Sequence, residues 1–283
     1  MHTGGVILGA ALALLRVERE AYRSVDSEYV LALYDKEERR EVEQSGMRRG
    51  VTPFVVRQVD LLGRRSTIVY SRLEAAQADS VIGGEVAYFD GLGHDLEWKL
   101  YAHDTPANLH DYLVAQHFEA EDPEAIMVLD LASVPGAMHQ SPQHDVRRIA
   151  DSAGLQEVLA VSQEVWEEDF SELGARLALE LHAEPCELAV YVAYVDDVPA
   201  CCGWLRHDPR SQFASLWGGS TRPGYRGRGL YTALLTARAE EAQRRGARFL
   251  TVDAGAMSRP IVAALGFVQL TTARAYMRHA ARG

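Results

Sequence analysis

The segment Thr221-Arg-Pro-Gly-Tyr-Arg-Gly-Arg-Gly-Leu-Tyr231 decides the fold of the C-terminal half of this 283-residue sequence. Gly227 and Gly229 leave backbone N–H groups uncovered, so a bulky anion can approach the chain closely. Arg226 and Arg228 add positive charge suited to phosphate oxygens. The sequence therefore predicts a phosphate-binding loop here.

The flanking residues place this loop between a strand and a helix. Phe213–Thr221 is predicted to be a strand, and Gly227 to Arg245 a helix that ends at Gly246. The helix N-terminus would point its unpaired N–H groups and positive dipole end at the loop, which favours phosphate. An ordinary glycine-rich turn is the alternative. A dinucleotide-binding G-x-G-x-x-G motif would need glycine at Thr232, and a P-loop would need a lysine.

The rest of the C-terminal half alternates between residue patterns typical of helices and residue patterns typical of strands. Apolar residues recur at helical spacing in a helix-rich stretch from Val146 to His182. The predicted order is α-α-β-β-β-α-β-α-β. Its remaining elements are a hairpin, Leu188–Val195 and Val198–Arg206 around Asp196-Asp197, a strand Arg248–Ala254, a helix Ser258–Leu265 and a strand Val268–His279.

Residues from about Val146 to Arg282 resemble the GNAT superfamily of acetyl-CoA-dependent N-acetyltransferases. That family's signature is [Q/R]-x-x-G-x-[G/A]; Arg226 and Gly229 match it, whereas Tyr231 stands where a small residue is usual. The resemblance implies a GNAT-like mixed α/β sheet flanked by helices, and acetyl-CoA as cofactor. It also implies which residues contact the cofactor: Gly219 and Thr221 the pantetheine, and Arg226, Gly227, Arg228, Gly229, Leu230 and Tyr231 the pyrophosphate.

A second feature of the family is a strand, a short helix and Gly-Phe. Here Thr251 opens the segment, Ser258 begins the helix and Gly266-Phe267 closes it. Ser258 is included among the cofactor-binding residues. Many members place a tyrosine four residues before the glycine, to protonate the departing thiolate, but this chain has Val262. That general acid is therefore not carried over.

The usual base is missing too, because Phe213–Thr221 contains no carboxylate or histidine. The catalytic residues stay unknown. Several groups remain open candidates for proton transfer or for holding a cationic amine, and each also has an ordinary structural explanation. The candidates are His207 and Asp208 in a loop, Asp253 at a strand end, and Glu167, Glu168 and Asp169 at a helix end, flanked by Trp166 and Phe170. Trp217 is added as a substrate contact.

The N-terminal half resembles the same fold only faintly. Gly91 and Gly93 are predicted to form a hairpin turn, so this half would bind no CoA and would shape the acceptor cleft or act as scaffold. The predicted helices run from Asp26 to about Glu43 and from Asp104-Thr105-Pro106 to Gln116. The predicted strands are Pro53–Asp60, Thr67–Leu73, Val81-Ile82, Val86–Phe89, Leu96–Ala102 and Ala125–Leu131.

A faint internal echo links the halves. His117-Phe118, before a strand with Met127, is similar to Gly266-Phe267, before the strand with Met277. The halves are then distant copies, a tandem pseudo-repeat, unless the similarity is chance. Since residues 132–144 are rich in small residues and proline, we predict an extension at 1–25, an N-terminal degenerate GNAT-like domain at 26–140 and a C-terminal acetyltransferase domain at 141–283.

Composition limits the partners. A net charge of −11 argues against non-specific nucleic-acid binding and is compatible with an amine substrate. The apolar run near the N-terminus is shorter than the roughly 20 residues that span a bilayer. Three cysteines, without metal-ligand spacing, are expected to be reduced and buried, which suits the cytoplasm. We expect no metal, and the oligomeric state, monomer or homodimer, is left open.

Three functions remain open at this point. The first is an enzyme that moves an acetyl or other short acyl group from CoA to a primary amine of a small molecule. The second is a non-catalytic acyl-CoA-binding or sensing module, favoured by the missing tyrosine and glutamate. The third is acetylation of a protein lysine or N-terminus, for which the acidic surface would favour basic partners.

Overall fold

The computed structural model describes residues 26–134, 144–184 and 186–280. The predicted extension at 1–25, and residues 135–143 of the stretch 132–144 at which we divide the domains, lie outside the described residues. The helices are α1 (Ser27–Tyr34), α2 (Ala75–Leu92), α3 (Leu109–Ala115), α4 (Ser152–Trp166), α5 (Ser171–Leu181), α6 (Leu230–Arg244) and α7 (Arg259–Ala264).

The strands join into one mixed sheet. Their order is β1-β2-β3-β4-β12-β6-β11-β10-β9-β8-β7, with β5 beside β12. The strands are β1 (Met47–Val51), β2 (Val55–Asp60), β3 (Arg65–Ser71), β4 (Asp95–Tyr101), β5 (Glu119–Ala120), β6 (Glu124–Asp130), β7 (Asp145–Ile149), β8 (Leu188–Val195), β9 (Val198–Arg206), β10 (Phe213–Thr221), β11 (Phe249–Ala254) and β12 (Val268–Arg278).

The two halves exchange their last strands. β6, from the N-terminal half, lies between β11 and β12, and β12 lies between β4 and β6. All of these pairings are antiparallel, with Met127 opposite Val252 on one side and opposite Gln269 on the other. The division near residue 140 stays a prediction, and the sheet runs through both halves.

The halves repeat one order of elements, as the internal echo predicts. In each half two parallel strands flank a long helix: β3, α2 and β4 in one, β10, α6 and β11 in the other. A short helix follows, then a residue with positive φ, His117 at 64° or Gly266 at 97°, and a buried Phe118 or Phe267. The mixed α/β fold with a second, similar N-terminal half is confirmed.

A shared core joins the halves. Tyr34 on α1 packs edge-on against Phe213 at the start of β10, which stacks on Phe249 of β11 with 5.1 Å between ring centroids. Behind Tyr34 the chain continues as a π-helical turn, Asp35–Arg40. Buried Arg39 fixes that turn, since its Nη2 donates to both carboxylate oxygens of Asp104 at 2.8 Å.

Several predicted elements are wrong. The predicted strands Val81-Ile82 and Val86–Phe89 lie in α2, whose buried positions Ala78, Ile82, Glu85 and Phe89 recur at helical spacing. Gly91 lies inside this helix and Gly93 ends it with φ of 69°, so neither forms a hairpin turn. The glycines in α2 hide the periodicity from the sequence.

Two edge strands and two helix lengths also differ from prediction. β1 and β7 were not expected, because Met47–Val51 and Asp145–Ile149 are polar, charged stretches that pair on one side only. Helix α1 leaves regular α-helical geometry at Asp35, and α3 begins only at Leu109. The C-terminal hairpin and the strand β10 are confirmed.

A bulge bends β10 just before the loop. Its register against β9 shifts between Trp217 and Ser220, and Gly218 has φ of +61°. A Cβ atom built on Gly218 would lie 1.9 Å from the ring of buried Trp204. Glycine is therefore required here both by backbone conformation and by the approach of the indole.

We predict that neither half folds alone. Fragment 1–140 lacks β12, which pairs with β4 in the whole protein, and fragment 141–283 lacks β6, which lies between β11 and β12. Each fragment is therefore left with unpaired strand edges. Each fragment should be insoluble or largely unfolded by circular dichroism, and co-expression should restore a soluble complex. A folded, monomeric 141–283 fragment would show that β6 is dispensable.

We also predict that Gly218→Ala destabilises the protein by about 2–4 kcal/mol, from the strained φ and the clash with Trp204. Chemical denaturation measures the loss. Gly224→Ala is the matched control, since a Cβ there would meet nothing within 4 Å. Equal stability of the two variants would contradict the prediction.

Candidate functional site

The site opens where two parallel strands part. β10 and β11 pair from Phe213 with Phe249 as far as Leu216 with Val252, and no pair is formed beyond that point although β10 continues to Thr221. The bulge at Gly218 lies at the start of this unpaired stretch. The backbone of β10 therefore faces an opening on its β11 side, over the last five residues of the strand.

The predicted phosphate loop closes one end of the opening. Gly227 and Gly229 have φ of 75° and 82°, and Gly229 is the N-cap of α6 without a side chain that caps the helix. A Cβ on Gly227 would meet nothing within 4 Å. An anion therefore has free access to the amides of the loop and to the N-terminus of a 15-residue helix.

Two exposed arginines stand at this loop without acidic partners. Arg226 Nε donates to the carbonyl of Thr221 at 3.1 Å, and an Nη of Arg228 donates to the carbonyl of Gly224 at 3.1 Å. Within residues 26–134, 144–184 and 186–280, neither guanidinium forms an ion pair, unlike Arg222, which pairs with Glu164. Their charge is available to a ligand, as the phosphate-binding prediction requires.

Tyr231 departs from the family signature, and the structure shows where its ring goes. A Cβ on Gly219 would lie 2.8 Å from the Tyr231 ring, so the ring packs back against β10. Burial raises the pKa of its hydroxyl. Leu230 is buried below the loop. The tyrosine ring therefore lies against β10 at Gly219, and the space at the Cα of Gly227 stays open.

The opening belongs to a cavity of about 1990 Å³. Its C-terminal walls are β10, β11, the loop and the start of α7, where the Ser258 hydroxyl donates to the carbonyl of Gly255 at 3.4 Å. The N-terminal half supplies the facing wall, with Tyr34, Glu38 and Lys99 among its residues. The two halves thus enclose one cleft, as expected if the N-terminal half shapes an acceptor site.

Charged groups of both halves meet beside the opening. Asp253 on β11, one residue past the last β10 pair, forms an ion pair with Lys99 of β4. Despite burial, the charge of Asp253 raises the pKa of Lys99. Glu124 of β6 lines the same region, and burial raises the pKa of its carboxyl. When both carboxylates are ionised, the net charge of Asp253, Glu124 and Lys99 together is −1.

Glu38 is a carboxyl group that sequence reasoning missed. Burial on the π-helical turn raises its pKa to about 7, although the Ser211 hydroxyl donates to it at 2.6 Å. The negative charges of Glu37, Asp208 and Asp253 act in the same direction as burial. No sequence signal marks Glu38, because its position depends on how α1 packs against β10.

The sequence-predicted substrate residues separate into two groups. Trp217 lines the cavity, half-exposed, with its indole N–H donating to Ser215 Oγ at 2.8 Å. Glu167 and Glu168 are exposed and do not line it. Their neighbour Trp166 does, and its indole N–H donates to Ser220 Oγ at 2.8 Å.

The loop after β9 uses its side chains for structure. The His207 ring nitrogen Nε2 lies 3.1 Å from the Ser211 carbonyl, and burial lowers its pKa. Asp208 pairs with Arg210 at 2.7 Å. His207 and Asp208 are therefore engaged within the loop, although Asp208 also lines the cavity. Asp253 is engaged as well, with Lys99, but it lies beside the opening between β10 and β11.

Arg238 is a charged residue on the buried face of α6, a position that its residue type does not predict. Its side chain is 1% exposed and continues the buried row of Leu230 and Leu234 at i, i+4 and i+8. It lines the cavity beside the bulge, where Nη1 donates to the carbonyl of Trp217 at 3.3 Å. The spacing of Arg238 from Leu230 and Leu234 indicates a buried position, but a charged residue at such a position is usually interpreted as exposed.

Other classes of site find no support in the part of the chain that the structure describes. There, no three His, Cys, Asp or Glu side chains are grouped to hold a metal ion. No helix there has the length and apolarity needed to cross a bilayer. The three cysteines are free thiols; Cys201 and Cys202 are buried and Cys186 partly so.

Comparison with known proteins finds relatives by structure and by a family model. A search of curated proteins found no match. A GCN5-related N-acetyltransferase from Kribbella flavida superposes with a TM-score of 0.63 at 16% identity, covering 92% of this chain and 97% of that one. A tandem GNAT protein from the clavulanic acid biosynthesis pathway superposes at 0.57 with 13% identity, covering 81% and 79%.

A protein from Staphylococcus epidermidis described as functionally unknown shares the fold as well, at 0.63 with 9% identity, covering 85% of this chain and 97% of that chain. At these identities the likeness shows the fold alone. The sequence match is narrower: residues 155–267, which include the loop and the Gly-Phe ending, match the model of the acetyltransferase (GNAT) family. The chain therefore carries a GNAT-family segment at 155–267 within a fold shared with GCN5-related and tandem GNAT proteins.

Proposed function

We propose that this protein is an N-acyltransferase that moves an acetyl or other short acyl group from CoA to a primary amine. The observation that carries the proposal is the opening between β10 and β11, which ends at uncovered amides and two unpaired arginines. Such an end fits a diphosphate, and the unpaired strand edge fits the amide-bearing pantetheine arm. The residues present thus fit acetyl-CoA.

The cofactor contacts follow from this fit. Gly219 and Thr221 on the unpaired part of β10 would hold the pantetheine. Arg226 and the amides of residues 227–231 would hold the pyrophosphate, with Arg228 adding charge and Ser258 facing the same arm from α7. When bound, acetyl-CoA would supply an acyl group: the amine, once deprotonated to its neutral form, bonds through nitrogen to the carbonyl carbon, the C–S bond breaks with its electron pair on sulfur, and the nitrogen's second proton ends on the CoA thiolate, directly or through water.

The chain's own groups then orient the amine. Backbone N–H groups of β10 beyond Leu216, free of β11, can donate to charge that develops on an acyl oxygen. Asp253, beside the same opening, would hold the cationic amine, with Glu124 adding negative charge. Placing the two reactants in one enclosed cleft supplies much of the rate by orientation. A small amine in the cytoplasm is the acceptor that we propose.

A non-catalytic acyl-CoA-binding or sensing module is the second candidate. It is favoured by β10, which has no carboxylate or histidine, and by Val262 in place of the family's tyrosine. Release of CoA thiol from acetyl-CoA in the presence of an amine library distinguishes the two. Turnover with any amine supports the enzyme; tight CoA binding without turnover supports the module.

The cofactor site predicts a selective loss. Arg226→Ala with Arg228→Ala should raise the KM for acetyl-CoA about tenfold, because two charge-assisted phosphate contacts are lost. Steady-state kinetics and calorimetry with CoA measure this. Arg147→Ala, which removes an exposed arginine of β7 outside the cavity, is the control and should bind CoA normally. Equal affinity of both variants would exclude CoA from this loop.

The acceptor side predicts a different kinetic change. Asp253→Asn should raise the KM for the amine about tenfold while the KM for acetyl-CoA changes little, since the lost charge faces the amine. Glu168→Gln removes an exposed carboxylate outside the cavity and should leave both constants unchanged. Thermal melting of both variants checks that the loss of the Lys99 partner has not unfolded the protein. An unchanged amine KM in Asp253→Asn would remove this residue from the acceptor site.

A further inference from the structure

Arg238 lies level with the point where the strands part. From Leu230 to Arg238, helix α6 rises about 12 Å, and from Thr221 back to Trp217 the strand covers about 13 Å. The chain enters the loop along β10 and returns alongside it as α6, so Trp217 and Arg238 lie at similar distances from the loop on the same side of it. The hydrogen bond from Arg238 Nη1 to the Trp217 carbonyl, 3.3 Å long, agrees with this.

The guanidinium is not neutralised by its surroundings. Its Nε donates to the carbonyl of Leu234 and its Nη1 to those of Trp204 and Trp217, at 3.3 to 3.4 Å. Its Nη2 is buried and has no partner within the described residues. No carboxylate of those residues lies within ion-pair distance of it. The titratable groups that face it are Tyr231, Tyr191, Cys201 and Cys202, whose pKa values burial raises, so they are uncharged near pH 7.

These hydrogen bonds give Arg238 a structural role, but that role does not require a full buried charge. Carbonyl groups can satisfy N–H donors, but they do not balance a full charge taken out of water. Burial accordingly lowers the pKa of Arg238. A neutral side chain of similar volume would fill the same space without this cost. The Gly203 position shows how closely the site is built around the guanidinium, since a Cβ there would lie 2.8 Å from Nη1.

We propose that Arg238 binds a carboxylate on the acyl group, so that the preferred donor is the CoA thioester of a short dicarboxylic acid. This inference rests on the proposed function and names its acyl donor. A buried guanidinium with a spare N–H, on the wall of the cavity and beside the opening, matches a carboxylate in charge and in planar geometry. The carboxylate is bound and not consumed: the neutral amine bonds to the thioester carbonyl carbon, the C–S bond breaks with its electron pair on sulfur, and the proton lost by the nitrogen ends on the CoA thiolate, directly or through water.

The wild-type protein tests this with matched donors. Malonyl-CoA and succinyl-CoA carry the terminal carboxylate, and butyryl-CoA is similar in size without it. We expect kcat/KM for the better dicarboxylic donor to exceed that for butyryl-CoA at least tenfold with one amine. Turnover of acetyl-CoA and butyryl-CoA without preference for a carboxylate would overturn the inference and leave the acyltransferase standing.

Arg238→Met is the matched variant, because methionine fills much of the volume without charge. The ratio of kcat/KM for succinyl-CoA or malonyl-CoA over butyryl-CoA should fall at least tenfold, and Arg238→Lys, which keeps a charge, should retain part of it. An equal loss with every donor would instead assign Arg238 to the thioester carbonyl or to structure, and would overturn the proposal.

Thermal melting with bound thioesters tests the carboxylate site without requiring turnover. If Arg238→Met does not fold, or no amine is turned over, thermal melting of the wild-type protein with each thioester still decides. Malonyl-CoA or succinyl-CoA should raise the Tm more than butyryl-CoA at equal concentration, because ligand binding stabilises the folded state according to affinity. Equal shifts would refute the carboxylate site, and no shift with any CoA thioester would refute the proposed function as well.

Discussion

The pairing of β6 with both β11 and β12 is the constraint on which the rest of the structure depends. Each half of the chain gives up its last strand to the other, so the sheet has no boundary at which the halves could separate. This exchange brings β4 and the π-helical turn of the N-terminal half beside the open end of β11. The cleft therefore has walls from both halves, and Lys99 meets Asp253 across it.

The two copies of the repeated element order differ in the connection between the first parallel strand and the long helix. In the C-terminal half, β10 is bent by the Gly218 bulge and followed by a long glycine-rich loop, so an anion reaches the N-terminus of α6. In the N-terminal half, β3 joins α2 through only Arg72, Leu73 and Glu74, without a glycine. Its carboxylate, Glu74, stands at the start of the helix and disfavours phosphate there, which agrees with the proposal that only the C-terminal copy binds CoA.

Charge is distributed along the cleft in keeping with an acyl transfer. The arginines at the loop have no acidic partner among the described residues, a buried arginine lies beside the parting strands, and carboxyl groups are numerous on the wall around Glu38 and Glu124. Burial makes Glu38 titrate near neutral pH, which leaves that side sensitive to protonation. The two ends of the cleft thus differ in charge, which supports the proposed binding of a polyanionic donor at the loop and a cationic acceptor at the other end.

The sequence by itself determined the glycine-rich loop between strand and helix, the hairpin, the order of elements in the C-terminal half after β7 and the echo between halves, because glycines, turn residues and local periodicity act over a few positions. Val81 and Val86 were misassigned since Gly83-Gly84 interrupts the helical pattern that α2 nevertheless keeps. Only the tertiary structure decided the strand exchange and the roles of Glu38 and Arg238. These depend on contacts between residues far apart in sequence, where burial and neighbouring charge, which no local pattern records, set what a side chain can do.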